Sequence, residues 1–136
     1  MPLYRATKNG RVEISQSEEA EILADAFEGA KKSKIEELQA AYVSDVYADI
    51  VHDSKTWKAD VQSRELLAQT LSVGSVPAGM YWRDSSEVQH SMTFSQLQAL
   101  ALAILERGLA ADANVVAKIA AVNVAADQAA IDLIVY

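Results

Sequence analysis

Met92-Thr93-Phe94-Ser95-Gln96-Leu97 is the stretch on which the reading of the fold turns. Thr93 and Gln96 stand at the spacing of a capping box, where the hydroxyl meets the amide three residues on and the Gln side chain reaches back. Met92 and Leu97 flank them as a hydrophobic staple, so an abrupt helix start is predicted here. From that start Leu97, Ala101, Ile104, Gly108, Ala111, Val115, Ile119 and Val122 follow one stripe over about seven turns. Leu100, Leu102, Leu105, Leu109 and Val116 lie off the stripe, which makes the helix apolar over more than half its circumference. One buried face does not need that width, so either other elements wrap the helix or it joins another chain. Gly108 leaves three readings open: close approach of another backbone, a kink, or an end just before Ala110-Ala111-Asp112.

Upstream, Met80-Tyr81-Trp82 and Val88-Gln89-His90 flank the polar stretch Arg83-Asp84-Ser85-Ser86-Glu87, a hairpin signal that follows loop markers at Pro77 and Gly79. Before it, Asp60 suits the N-cap of a helix with Leu66, Leu67, Ala68 and Leu71 on its apolar face and an end near Val73-Gly74. Between Tyr47 and Trp57 the period drops to two: Tyr47, Asp49, Val51 and Asp53 alternate with Ala48, Ile50 and His52. Asp53-Ser54 supplies turn chemistry, and Thr56-Trp57-Lys58 returns as a short strand. At the N-terminus Asn9-Gly10 is a two-residue turn signal between Tyr4, Ala6 and Lys8 on one side and Val12 and Ile14 on the other. Ser15-Gln16-Ser17-Glu18 is a second capping box, opening an acidic helix that runs to about Phe27. Gly29, and a further box at Ser33-Lys34-Ile35-Glu36, leave one kinked helix and two helices equally open. The later segment places Ile35, Leu38, Tyr42 and Val46 on one face. Asn123 marks a break, and Ala125 to Ile134 forms a last short helix.

These elements predict a helix-rich α+β fold, with short β-hairpins packed against three to four helices and one long C-terminal helix. Residues 1–50 form an N-terminal hairpin and acidic helix, and residues 51–136 the main domain, the whole expected as one compact unit. With 51% apolar and 23% charged residues, the chain lacks the signature of disorder. Its net charge of -7 argues against nucleic acid, whose phosphates require clustered cations. The basic run Lys31-Lys32-Ser33-Lys34 is followed at once by Glu36-Glu37 and reads as a solvated, charge-paired helix face. There is no cysteine, hence no disulfide or thiolate chemistry, which fits a reducing cytoplasm. Met1 to Arg5 holds no apolar signal segment, and the apolar run from Leu97 to Leu105 is too short to span a bilayer, so no membrane is expected.

Few residues point to catalysis. The two histidines, His52 and His90, have no ligand partner at helical spacing. Asp45, Asp49, His52 and Asp53 would offer metal ligands only if that segment were helical, and they read as a solvated edge. Asp112-Ala113-Asn114 lacks the glycine and terminal Glu of a calcium loop. No nucleophile elbow or phosphate loop occurs, so no enzyme activity, metal or cofactor is expected. Trp57, Tyr81 and Trp82 stand beside hairpin turns. They cap the core there, or they act as exposed binding anchors.

Trp57-Lys58-Ala59-Asp60-Val61-Gln62-Ser63-Arg64 with Leu66-Leu67 resembles the opening of a domain of unknown function found in tailed-phage and prophage tail proteins. Val76 to Asp84, then Met92-Thr93-Phe94 with Leu97, is similar to that domain's hairpin and the start of its long helix, so the likeness covers roughly Val51 to Val122. Tyr4 to Gly10, with Ile14 and Ser17-Glu18-Glu19-Ala20, resembles the N-terminal ends of small phage tail proteins. At Ser86-Glu87 the chain departs from the Asp-Asn pair frequent in that family's turn. Asp60 and Arg64, four apart on one helix, read as an N-cap and its partner, or Arg64 meets a neighbouring loop. The resemblance implies a tail-fibre assembly factor, with a fibre or other tail protein as partner, present in the host cytoplasm during assembly. The alternative is a structural component kept in the virion tail, with a second copy of the chain as partner. The residues expected to meet the partner are Trp57, Tyr81, Trp82, Leu100, Leu102, Leu105, Leu109 and Val116.

Overall fold

The computed structural model describes residues 3–136. Among them are three two-stranded antiparallel hairpins and four helices, the helix-rich α+β architecture the sequence predicts. The order is β1 (Tyr4–Thr7), β2 (Gly10–Glu13), α1 (Gln16–Tyr47), β3 (Ile50–His52), β4 (Lys55–Trp57), α2 (Val61–Val73), β5 (Tyr81–Arg83), β6 (Gln89–Ser91), α3 (Phe94–Val124) and α4 (Gln128–Asp132). No helix among the described residues is long and apolar enough to cross a membrane.

The chain groups into two compact units, one of residues through Leu38 with Lys118–Val135, the other of Gln39–Ala117 with Tyr136. In the first unit the capping box at Ser15 is formed: the Glu18 amide donates to Ser15 Oγ at 3.2 Å, and Glu18 Oε2 accepts from the Ser15 amide at 3.1 Å. The Ser15 amide and hydroxyl, both donating to the Glu18 carboxylate, hold it below its ordinary range, with the Arg5 guanidinium at 3.0 Å adding to the effect. Strands β1 and β2 are exposed on both faces. Their turn differs from the expected one. Lys8 and Asn9 form it, Thr7 faces Gly10, and only Gly10 takes a positive φ, +118°. A left-handed glycine just after an ordinary turn restores the strand twist, so Asn9 itself need not turn left-handed.

Helix α1 is a single helix. Neither Gly29 nor the box at Ser33 interrupts it, and Leu38 is buried on the face the spacing marks. A capping box works only where the preceding residue leaves the helix, so Ser33 in mid-helix has no free amides to satisfy. At the other end, the α3 backbone stops at Val124, one residue past Asn123. Asp127 then caps α4 through the Ala130 amide at 2.8 Å, so α4 starts three residues later than expected. Val122 and Ile131 are buried in this unit.

The second unit is built around Trp57, Ala59, Leu67, Trp82, Leu97, Leu100 and Ile104. The box at Thr93 forms as predicted: the Thr93 amide donates to Gln96 Oε1 at 2.8 Å and the Gln96 amide to Thr93 Oγ1 at 3.1 Å. Met92 packs on the core where Leu97 is buried. The Asp60 carboxylate caps α2 through the Ser63 amide at 2.8 Å, and Gly74 ends the helix with φ +83°. The α2 face is narrower than expected. Leu67 is buried and Leu71 half-buried, one turn apart, while Leu66 and Ala68 on either side are exposed. The β3–β4 turn is Asp53-Ser54, both at left-handed φ (50° and 61°), the geometry a two-residue hairpin requires.

Substituting Thr93 by Ala should cost about 1 kcal/mol in urea denaturation, because the Gln96 amide loses its acceptor. Ser33→Ala, at the box that caps nothing, should be neutral or slightly stabilising by the same measurement.

Candidate functional site

Both tryptophans sit in the core. Trp57 is 1% and Trp82 8% exposed, which overturns their reading as exposed anchors. Their position beside turns follows from what they hold together. The Trp57 indole N–H donates to the His52 carbonyl across its own hairpin at 3.0 Å, and its ring meets His90 edge-on, with centroids 5.5 Å apart. His90 Nε2 lies 2.8 Å from Asp84 Oδ2, while Asp84 Oδ1 accepts from the Ser86 and Val88 amides. The Ser85 amide donates to the Thr56 carbonyl at 2.8 Å, tying the third hairpin's turn to the second hairpin. The His90 contact and the two amides hold the Asp84 carboxyl below its ordinary range, against the opposing effect of desolvation.

Of the aromatic trio only Tyr81 is exposed, at 48%. It borders a shallow polar cavity of about 420 Å³ that also holds Lys58, Asp60, Arg83 and Glu87. Glu87 bridges Lys58 and Arg83, the latter at 3.0 Å, so the charges of this cavity largely satisfy one another. His52 and His90 face different carboxylates. Among the described residues no three His, Asp or Glu side chains converge as ligands.

The off-stripe residues of α3 divide. Leu100 is fully buried, so its expected place on the surface is corrected. At 100° per residue it lies next to the Leu97–Ile104 stripe, and the hairpins wrap α3 widely enough to cover it. Leu102, Leu105, Leu109 and Val116 are 54% to 62% exposed and recur along the opposite face. Gly108 does not end α3, and no other backbone approaches it: a Cβ added there would meet nothing within 4 Å. That open space is the floor of a groove of about 360 Å³ whose walls are Val43 and Tyr47 of α1 and Leu105 and Leu109 of α3. Arg64 neither pairs with Asp60 nor meets a loop; its guanidinium lies 5.2 Å over the Tyr47 ring at the groove's edge.

Residues 29–135 match the model of a domain of unknown function, DUF4376. The chain belongs to the DUF4376 family. The matched region runs wider on both sides than the likeness read from Val51 to Val122, taking in most of α1 and the chain through α4. No curated protein and no solved structure matches the chain.

Several residues that shape this family member's groove escaped the sequence reading. Val43 and Tyr47 looked like the end of a helix and the start of a strand. Arg107 was passed over altogether, yet its guanidinium donates to the Val46 carbonyl at 2.9 Å and the Asp49 carbonyl at 3.1 Å. Helix α1 has no basic residue in its last turn, so Arg107 supplies the cation its negative end lacks. A lone arginine inside the apolar run Leu97–Val115 was the signal that could have found it. Tyr136 joins the same corner, donating to Asp45 Oδ2 at 2.7 Å, and desolvation together with that carboxylate pushes its hydroxyl up to about 12.

Asp84, Asp60 and Glu87 are all held below the ordinary carboxylate range, Asp84 chiefly by His90, Asp60 by the Ser63 amide and Glu87 by Lys58. The folded chain therefore protonates them later than the unfolded chain does, and stability is lost as pH falls below about 4. Urea midpoints of Asp84→Asn should fall less steeply across that range than those of the parent protein, and parallel slopes would show that Asp84 is not held low.

Proposed function

We propose that this chain is an assembly factor for phage or prophage tail fibres, which binds a fibre or other tail protein and covers apolar surface while that protein folds. The observation that carries the reading is the row Leu102, Leu105, Leu109 and Val116, four large aliphatic side chains more than half exposed on one face of a well-anchored helix. Such a row costs solubility unless a partner covers it, and its side chains together are the kind of apolar patch that marks protein interfaces. The likeness of Trp57–Arg64 and Val76–Asp84 to tail-associated proteins supports the choice of partner. The charge balance of the chain and the mutual satisfaction of its charged cavity favour binding over catalysis.

A structural component of the virion tail that packs on a second copy of itself is the other reading. It is favoured by the near-heptad recurrence of the same row, the spacing by which helices pack on one another.

Co-expression with a tail-fibre protein from the same genome separates them. An assembly factor raises the yield of soluble trimeric fibre and is absent from purified particles by mass spectrometry, whereas a virion component is found in them. Leu105→Glu with Leu109→Glu, both at exposed positions, should leave the fold intact and remove the gain in fibre yield. An unchanged yield would contradict the proposal.

A further inference from the structure

We infer that the groove between the end of α1 and the middle of α3 takes a basic amphipathic helix from the partner protein, an inference that rests on the protein-binding reading above. The shape comes first. Two helices wall the groove, its lips are the exposed side chains of Val43, Tyr47, Leu105 and Leu109, and its floor is open at Gly108. Helix-in-groove recognition uses such a site, seating side chains spaced by three and four residues. The row from Leu102 to Val116 rises about 21 Å, so a partner helix of roughly 14 residues would cover it.

Charge then selects among helices. Around α3 at 100° per residue, Glu106 lies on one side of the exposed row and Asp112 on the other, and both are exposed. The two cations of α3 lie elsewhere: Arg107 is committed to the Val46 and Asp49 carbonyls, and Lys118 falls on the opposite side. Arg64, the cation at the groove itself, is stacked on Tyr47. An incoming helix thus meets an apolar strip bordered by two carboxylates, with the Arg64 guanidinium held against the Tyr47 ring at the groove's edge. Lys and Arg flanking an apolar stripe complement that border, and Glu and Asp are repelled. A second copy of α3 in antiparallel register about Leu109 would set Glu106 against Asp112 of its mate on both sides, which disfavours self-pairing through this face.

The test uses the full chain and two fluorescently labelled synthetic helices with the same leucine stripe, one flanked by lysine and one by glutamate. Anisotropy should show binding of the lysine peptide alone. Glu106→Gln with Asp112→Asn should weaken it about tenfold and flatten its salt dependence. Glu21→Gln with Asp25→Asn, which removes the same charge from the first half of α1, should leave it unchanged. Gly108→Leu should abolish binding while the thermal midpoint holds or rises, since leucine favours the helix and fills the open floor. Equal affinity for the two peptides, undiminished binding by Gly108→Leu, or equal weakening by the remote pair would each overturn the inference. If the lysine peptide fails to bind while Leu105→Glu with Leu109→Glu still removes the gain in fibre yield, the partner chemistry is wrong and the protein-binding reading stands. If that double variant leaves the yield unchanged, the protein-binding reading itself fails.

Discussion

The burial of Trp57 is the constraint on which the second unit depends. Strands β3, β4, β5 and β6 are three residues each, too short for either hairpin to persist alone in water. What keeps them in place is a chain of contacts that begins at the indole: its N–H on the His52 carbonyl, its ring in a T-shaped contact with His90, and His90 on Asp84, whose other oxygen organises the turn. Removing a large aromatic from such a seat costs on the order of 3–5 kcal/mol. Here it would also take the indole donor from the His52 carbonyl and the ring contact from His90, which would keep only Asp84.

That seat determines how α3 is used. Because the hairpins and α2 close over Leu97, Leu100 and Ile104, one side of the helix is fully occupied as core. The opposite side still carries leucines, and nothing in the unit folds over them. Arg107 adds a second fixed point, holding the Val46 carbonyl at the end of α1 and the Asp49 carbonyl just after it against α3. The exposed leucines are therefore held in place by residues on the other side of the same helix, as a proposed binding face requires.

Local features were legible in the sequence wherever a side chain speaks to its own backbone. Thr93 with Gln96, Ser15 with Glu18, Asp60 with Ser63, and Gly74 could be read because the partners lie within three or four residues. The same logic misfired at Ser33, whose box is real in sequence but sits inside an uninterrupted helix. It misfired again at Asn9, where the left-handed geometry passed to Gly10 alone. Burial was harder to read than boundaries. Leu100 and Leu102 are two residues apart on a helix apolar almost all round, and only the hairpins decide which is covered. Trp57 and Trp82, beside their turns, could be read as core or as surface until the fold placed them. The groove was least legible, since Val43 and Tyr47 meet Leu105, Gly108 and Leu109 only through the tertiary fold.

DUF4376 is a domain of unknown function, and the exposed row on α3 is the surface of this family member at which we propose that a partner binds, not the charged turn beside Tyr81. Hydroxyl-radical footprinting of the chain, alone and with a tail-fibre protein added, distinguishes the two surfaces. Leu102, Leu105, Leu109 and Val116 should lose reactivity in the complex while Tyr81 keeps its own. Protection of Tyr81 with the four α3 side chains still reactive would contradict the proposal.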